Sequence, residues 1–513
     1  MKKKLLSCVL TASMMVGLVA CAGSESEVKD YTVSYDGVES ADISSGVSVH
    51  DPSILEVDGT YYIFGSHMTA AKSTDLTNWE SIADGYMKTN PVYGQIYDVA
   101  DEAFAYAGSK DSLITTDDKG THVWAPDVIY NKTTGLYYMY YCCSSTWNAS
   151  NLCFGTSETP EGPYEWQGNL IYSGYSLKQM EETDVLDYVD EDYAKKNYFK
   201  AGAYNYEDYP NAIDPTVFYD EDDRMWMVYG SWSGGIFLIE IDPETGYCIH
   251  PEADEANNVD AYYGKRLLGG GHISIEGPYI MYDEASGYYY LFVSYGSLTS
   301  NGGYQIRVFR SETVDGDYVD MNGEYPGKSA QHQNYGLKLS GNYKLPSLEK
   351  AYMATGHNSA FIDEDGKMYV VYHTRFNDGG ENHSPRVHQM LMNAEGWPCM
   401  LPYQTQGETV SDTGYDKKEV VGRYYVLNQG SDISSDIANP IIIYLNSDGT
   451  LEGREATGSW SMTDGTYYMN ITVDGADYSG VFCKGLDEAG KSVMTFSAVG
   501  DNQSLWGVKY LSE

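Results

Sequence analysis

Short apolar runs recur along this chain, each entered from a polar or small residue and broken by an Asp- or Gly-containing turn. The first reads DPSILEVDGTYYIFGS (51–66), and the next APDVIYNKTTGLYYMYYCCS (125–144). Three more follow: DPTVFYDEDDRMWMVYGS (214–231), EGPYIMYDEASGYYYLFVSYGS (276–297) and HNSAFIDEDGKMYVVYHT (357–374). Alternation, together with Tyr, Trp and Val in the second run of each, predicts a β-hairpin per unit. Asp and Pro are poor strand residues, so their place at the head of a hairpin needs a reason.

Five such units, roughly 60 to 90 residues apart, predict an all-β chain whose main body, residues 46–400, is a five-bladed β-propeller. The spacing exceeds a minimal four-stranded blade, so long loops are expected, among them the acidic insertion 181–209. In a propeller the first strand of each blade lines the central channel. Asp51, Asp214, Glu276 and His357 then converge at one end of it, which explains a carboxylate at the head of a strand. The second unit has Ala125 there, with Trp124 before it and Asp127 after it. Beyond about residue 400 the motif stops. Residues 415–513 read as Gly-turned hairpins and predict a separate small β-barrel or sandwich.

With 42% hydrophobic and 14% aromatic residues, the 513-residue chain can bury large cores. Lys and Arg total 32 against 74 acidic residues, a net charge of −42. Nucleic acid and anionic membrane surfaces both require clustered cations, so neither is an expected partner. A neutral substrate is compatible with this surface.

Residues 1–20 read as an export signal: MKKK, then the apolar LLSCVLTASMMVGLVA, too short to read as a membrane span. The run ends at Cys21, followed by the polar AGSESE. LVAC resembles the lipobox of bacterial lipoproteins, which implies lipidation of Cys21, a flexible tether over 21–45, and anchoring outside the cytoplasmic membrane or release from it. Of the six later cysteines, Cys142, Cys143, Cys153, Cys248, Cys399 and Cys483, no set has zinc-ligand spacing. They read as mostly structural. Cys142 and Cys143 point to opposite faces of one strand.

Carboxylates from different blades around one channel suit glycosidic hydrolysis, in which one deprotonates water and another protonates the leaving oxygen. A third carboxylate can push their pKa values apart. HDPSI with Asp51, NAIDPTVF with Asp214 and ISIEGPY with Glu276 resemble glycoside hydrolase family 43. Within it, HVWAPDVIYN, SYGSLTSNGGYQIRVFRS, GHNSAFI and RVHQM are similar to the two-domain endo-α-1,5-L-arabinanases. The resemblance implies an inverting hydrolase of arabinan, with Asp51 as general base, Glu276 as general acid and Asp214 tuning and orienting. It further implies one calcium ion held by His357 and waters; the alternative for His357 is a buried, hydrogen-bonded histidine. Trp124 and Trp232 fit a sugar-stacking face and a propeller core equally, and Asn211 and Ser231 lie where they can hydrogen-bond a sugar. His373 and Arg375 fit packing or a subsite wall, and His388 has no assigned role. The expected protein is a monomer whose partner is arabinan or its oligosaccharides. Two rivals share the sequence features: an exo-acting α-L-arabinofuranosidase or β-xylosidase on the same fold, and a non-catalytic glycan-binding surface lipoprotein. A fructan-active propeller enzyme is disfavoured, since such enzymes carry Glu-Cys where this chain has Glu276-Gly277.

Overall fold

The computed structural model describes residues 29–98, 106–107, 122–144, 149–328 and 331–511. The export signal and Cys21 lie outside these residues.

Five antiparallel sheets stand in a ring, each built from one continuous stretch of chain. Blade 1 comprises Ser53–Val57, Thr60–Gly65, Thr69–Ser73 and Glu80–Ala83. Blade 2 is His122–Asn131, Leu136–Ser144, Ser150–Ser157 and Glu165–Ser173. Blade 3 runs Thr216–Tyr219, Met225–Tyr229, Ile236–Ile241 and Gly264–Leu268, with two short extra strands on its outer side. Blade 4 is Ile275–Asp283, Tyr288–Tyr295, Gln305–Ser311 and Leu337–Ser340, and blade 5 is Tyr352–Ile362, Met368–Phe376, Ser384–Met392 and Pro398–Met400. The first strand of each blade packs against the first strand of the next, and that of blade 5 returns to blade 1. The five-bladed propeller expected from the repeat is therefore present.

The turn that opens the repeat shows how local chemistry builds a blade. Val57 pairs with Thr60, leaving Asp58 and Gly59 as a two-residue loop with φ of 50° and 73°. Both values suit a type I′ turn, whose twist matches that of the strands it joins. Between blades, tyrosines fill the widening gap: Tyr138, Tyr140, Phe154 and Tyr229 belong to one buried cluster. The hydroxyls of Tyr140 and Tyr229 donate to the backbone carbonyls of Gly246 at 3.0 Å and Tyr263 at 2.8 Å. A tyrosine supplies large apolar area and a polar tip that reaches loop backbone.

Asp127 fastens three blades at the channel wall. It accepts from Ser53 Oγ of blade 1 and, at 2.6 Å, from Val217 N–H of blade 3. The acidic insertion 181–209 forms short helical turns against blades 2 and 3. The last, Glu191–Asn197, is capped by Asp190, which accepts from Tyr193 N–H at 2.7 Å.

Residues 422–510 form a closed eight-stranded barrel in which Gly422–Asn428 pairs with Gln503–Tyr510. Of the two forms expected, barrel or sandwich, the barrel is the one present. It is joined to the propeller by side-chain and backbone hydrogen bonds. Residues 429–438 leave the first barrel strand and lie across blade 4, where the Asp432 carbonyl accepts from Gln305 at 3.1 Å and Lys338 at 3.0 Å. Residues 29–45, read from the sequence as part of a flexible tether, lie against both domains: Arg423 and Tyr425 donate to the carbonyls of Thr32 and Ser34, and Arg386 to Asp42. All six cysteines described are unbridged, five of them buried.

Candidate active site

At one end of the channel the five inner strands share a backbone feature. Asp51, Ala125, Asp214, Gly277 and His357 occupy the same position in successive blades, with φ of 55°, 40°, 55°, 57° and 46°. All lie in the left-handed region that non-glycine residues enter at a cost of about 1 kcal/mol or more. Four of the five precede proline, where extended backbone is the usual choice. The strands bulge here, with shifts of register between Trp124 and Asp127, Glu276 and Tyr279, and Gly356 and Ser359. The kink turns these side chains toward the axis, so the carboxylates head their strands for a geometric reason. One detail corrects the sequence alignment: in blade 4 the left-handed slot holds Gly277, and Glu276 stands one residue earlier, level with His50 and Trp124.

Asp51, which is 8% exposed, accepts from Ser66 Oγ at 2.5 Å, and its Oδ1 lies 3.0 Å from His357 Nδ1. Burial alone would raise its pKa, but the charges of His357 and His50 and the hydrogen bond from His357 together outweigh this and hold the carboxyl well below the usual range. The ring of His357 is itself penalised by burial, yet Asp51 and Asp214 push it up to about 9. Asp214 accepts from Gly277 N–H at 3.2 Å, which ties it to the backbone beside Glu276. Burial pushes Asp214 up to about 7 against the His357 charge, with Glu276 and Asp51 adding to the rise. Glu276 accepts from Trp232 Nε1 at 2.8 Å and Ser231 Oγ at 3.1 Å. Its pKa is raised, first by burial and then by Asp51, against the lowering effect of His357, Tyr304 and Trp232.

The residues named from the sequence thus fall into two groups. Asp51, Asp214, Glu276, His357, Ser231 and Trp232 are brought together. Asn211 backs them, since its Nδ2 donates to the Ser231 carbonyl at 2.8 Å. Trp124 stands level with Glu276 on blade 2 but packs half-buried against the apolar cluster of blades 2 and 3. His373 is fully buried and accepts from Asp51 N–H at 3.3 Å. Arg375 is ion-paired with Glu381. His388 is a packing residue, bonded to Leu401 and Tyr372. Sequence reasoning missed Ser66, His50, His383, Ser294 and Tyr304. Ser294 accepts from His357 N–H at 2.7 Å, and Tyr304 lies beside Glu276 with its ring stacked on His373. Of these, only His50, adjacent to Asp51 in HDPSI, carried a signal.

His357 can serve as ligand to an ion once Nε2 gives up the proton that the neighbouring carboxylates favour, the ion then supplying the positive charge in its place. Its Nδ1 is engaged by Asp51, which leaves Nε2 for the channel. A small void there is lined by Asp51, Asp214, His357, Asn358 and Ser359. One imidazole is a poor calcium cage, so most of the shell would have to be water, with the carboxylates supplying charge. The donor set fits the expected ion on those terms.

Comparison with known proteins places this geometry. The model of glycosyl hydrolases family 43 matches residues 45–209 and 198–398, and a model described as a C-terminal lipocalin-like domain matches 402–507. The extracellular endo-α-(1→5)-L-arabinanase 2 of Bacillus subtilis strain 168 is 39% identical over 90% of this chain and 93% of its own. The extracellular endo-α-(1→5)-L-arabinanase of Thermotoga petrophila is 37% identical over the same shares. A crystal structure of the family 43 YxiA protein of Bacillus licheniformis superposes with a TM-score of 0.78 at 37% identity, covering 90% of this chain and 98% of that one.

Proposed function

The chain belongs to glycosyl hydrolase family 43, and from that premise we propose that it hydrolyses internal α-1,5-L-arabinofuranosidic bonds of arabinan with inversion. The observation that carries the reading is the split between a buried and a half-buried carboxylate at one channel mouth: Asp51 is held ionised while Glu276 is pushed toward its protonated form. Such a pair assigns base and acid roles by environment.

Asp51 takes a proton from a water on the far side of the sugar ring, and Ser66 and His357 fix its two oxygens for that task. Glu276 gives its proton to the departing oxygen. As it ionises, the indole N–H of Trp232 and the hydroxyl of Ser231 already face the oxygen that gains charge, so little reorganisation is needed. Asp214 acts through the backbone, holding the Gly277 amide and so the aim of Glu276. A calcium ion held by His357 and waters would add positive charge beneath the carboxylates. Trp232, Ser231 and Asn211 border the leaving-group side, where a sugar hydroxyl can meet them.

Both relatives named above are called extracellular, and we take this chain to act outside the cytoplasm as well, tethered by a lipid on Cys21. The test is purified protein on debranched linear arabinan. Arabino-oligosaccharides of mixed length appearing early support endo action, and arabinose alone from the start would replace it with exo action. Glu276→Gln should fold and lose on the order of 10²-fold or more in kcat. Wild-type turnover in that variant would remove Glu276 from the mechanism.

A further inference from the structure

Beside Asp51, on the seam where blade 5 meets blade 1, three imidazoles stand together. His50 precedes Asp51, His373 lies in the second strand of blade 5, and His383 comes from the loop before its third strand. One ring nitrogen from each falls within 4.8 Å of the other two. The ring of His50 stacks on His383 at 3.8 Å between centroids, and His373 meets both edge-on at 5.0 and 4.9 Å.

Packing alone does not account for this cluster. A buried ring nitrogen without a partner forfeits a hydrogen bond it had in water. Among the described residues, neither nitrogen of His50 nor Nε2 of His373 has a hydrogen-bond partner. His50 Nε2 does lie 3.1 Å from Asp51 Oδ1, close enough for charge but misaligned for a hydrogen bond. His373 is wholly buried and its Nδ1 accepts from Asp51 N–H, so an incoming cation has to displace the proton that Nε2 carries. A cavity of about 330 Å³ lined by His50, His383, His67, Ser66 and Asp84 reaches the group from the surface.

Buried imidazole favours the neutral form, which offers the lone pair a metal takes. Three imidazoles whose nitrogens lie this close are the donor type that zinc-class cations take, and the stacked rings of His50 and His383 must turn slightly to aim both lone pairs at one ion. A hard cation such as calcium is served poorly by it, having no oxygen cage. We propose that His50, His373 and His383 form a site for a divalent transition cation of the zinc class, separate from the ion expected at His357. The guanidinium of Arg375 lies 2.8 Å from His383 Nε2. Entry of a cation requires that contact to give way, and Arg375 has Glu381 as its remaining partner.

The test titrates the full mature chain, free of any histidine tag, with Co²⁺ and then displaces it with Zn²⁺, calcium being held in large excess throughout. The expected result is one equivalent of Co²⁺ with the visible absorption of a tetrahedral, nitrogen-ligated ion, and displacement by one equivalent of Zn²⁺. His383→Ala removes a ligand from a half-exposed loop and should weaken Co²⁺ binding at least tenfold. His250→Ala, at a histidine remote in blade 3, should leave the titration unchanged. Binding without the tetrahedral spectrum, or unaltered affinity in a folded His383→Ala protein, would overturn the site. Arabinan hydrolysis is not read in this experiment, so its outcome is independent of the activity proposed above.

Discussion

The indole N–H of Trp232 donates to Oε2 of Glu276 at 2.8 Å. A donor of this kind favours the ionised carboxyl and lowers its pKa, against the rise caused by burial. Trp232→Phe keeps the ring and removes the donor. Glu276 then stays protonated to higher pH, so the basic limb of the kcat/KM profile should move upward, by up to about one pH unit. A limb that stays put, or moves down, would separate Trp232 from the acid.

His357 supports Asp51 from 3.0 Å. Its replacement by Gln removes positive charge beside a carboxyl whose pKa is held low, so the pKa of Asp51 rises and the acidic limb of kcat/KM shifts to higher pH. The same variant tests the ion. Chelator should reduce wild-type activity reversibly, with calcium restoring it, and should leave the residual activity of His357→Gln unchanged. Equal sensitivity in both proteins would move the ion away from His357.

Gly277 has φ of +57°, and a Cβ added there would meet the His357 ring at 3.1 Å. Gly277→Ala should therefore press on the very ring that holds Asp51 and lower kcat by about tenfold or more. Its cost to stability should be only about 1–2 kcal/mol of backbone strain. A variant that loses stability but retains full kcat would make the glycine a purely structural need.

Asp127 joins three blades and is buried, and burial pushes its carboxyl up to about 7 despite its hydrogen bonds from Ser53 and Val217. A folded pKa above the unfolded value near 3.8 means that folding binds a proton. The contribution is complete below the unfolded value and is lost as pH rises toward 7. Asp127→Asn mimics the protonated form, with Oδ1 accepting from Val217 and Nδ2 donating to Ser53. Measured by chemical denaturation, this variant should gain on the wild type between pH 4 and pH 8, by at most about 4 kcal/mol. A pH-independent difference would rule out the buried titration. Asp127→Ala should cost about 2–4 kcal/mol, because it strands the buried Val217 amide.

The repeat and its carboxylates were legible because both are local. A hairpin announces itself by alternation and turn residues, and a residue followed by proline at the head of four of the five units survives as a short string. Ser66, Tyr304 and His383 were not legible. Each comes from the end of a second strand or from a loop, where residue type is free of periodic constraint, and each reaches the site only because the ring closes. Trp124 and Trp232 show the same limit from the other side. Two tryptophans with equal sequence claims face different surroundings, one an apolar cluster and the other the carboxyl of Glu276. The one-residue offset of Glu276 was hidden for a similar reason, since glycine and aspartate share the left-handed slot while differing in everything a pattern scores.

Because every blade is a single unbroken segment, no strand is shared across the join of first and last blades. What holds that join is a small apolar cluster of Ile54 and Ile63 with Val371 and Val387, clasped by a few individual bonds: Val49 N–H to the His383 carbonyl at 3.0 Å, Ser359 Oγ to the Pro52 carbonyl at 2.8 Å, and Thr77 to Thr405. Asp51 sits on this clasp. Warming should therefore unfasten Asp51 while the remaining sheets are still intact, so inactivation on heating will precede the loss of β ellipticity.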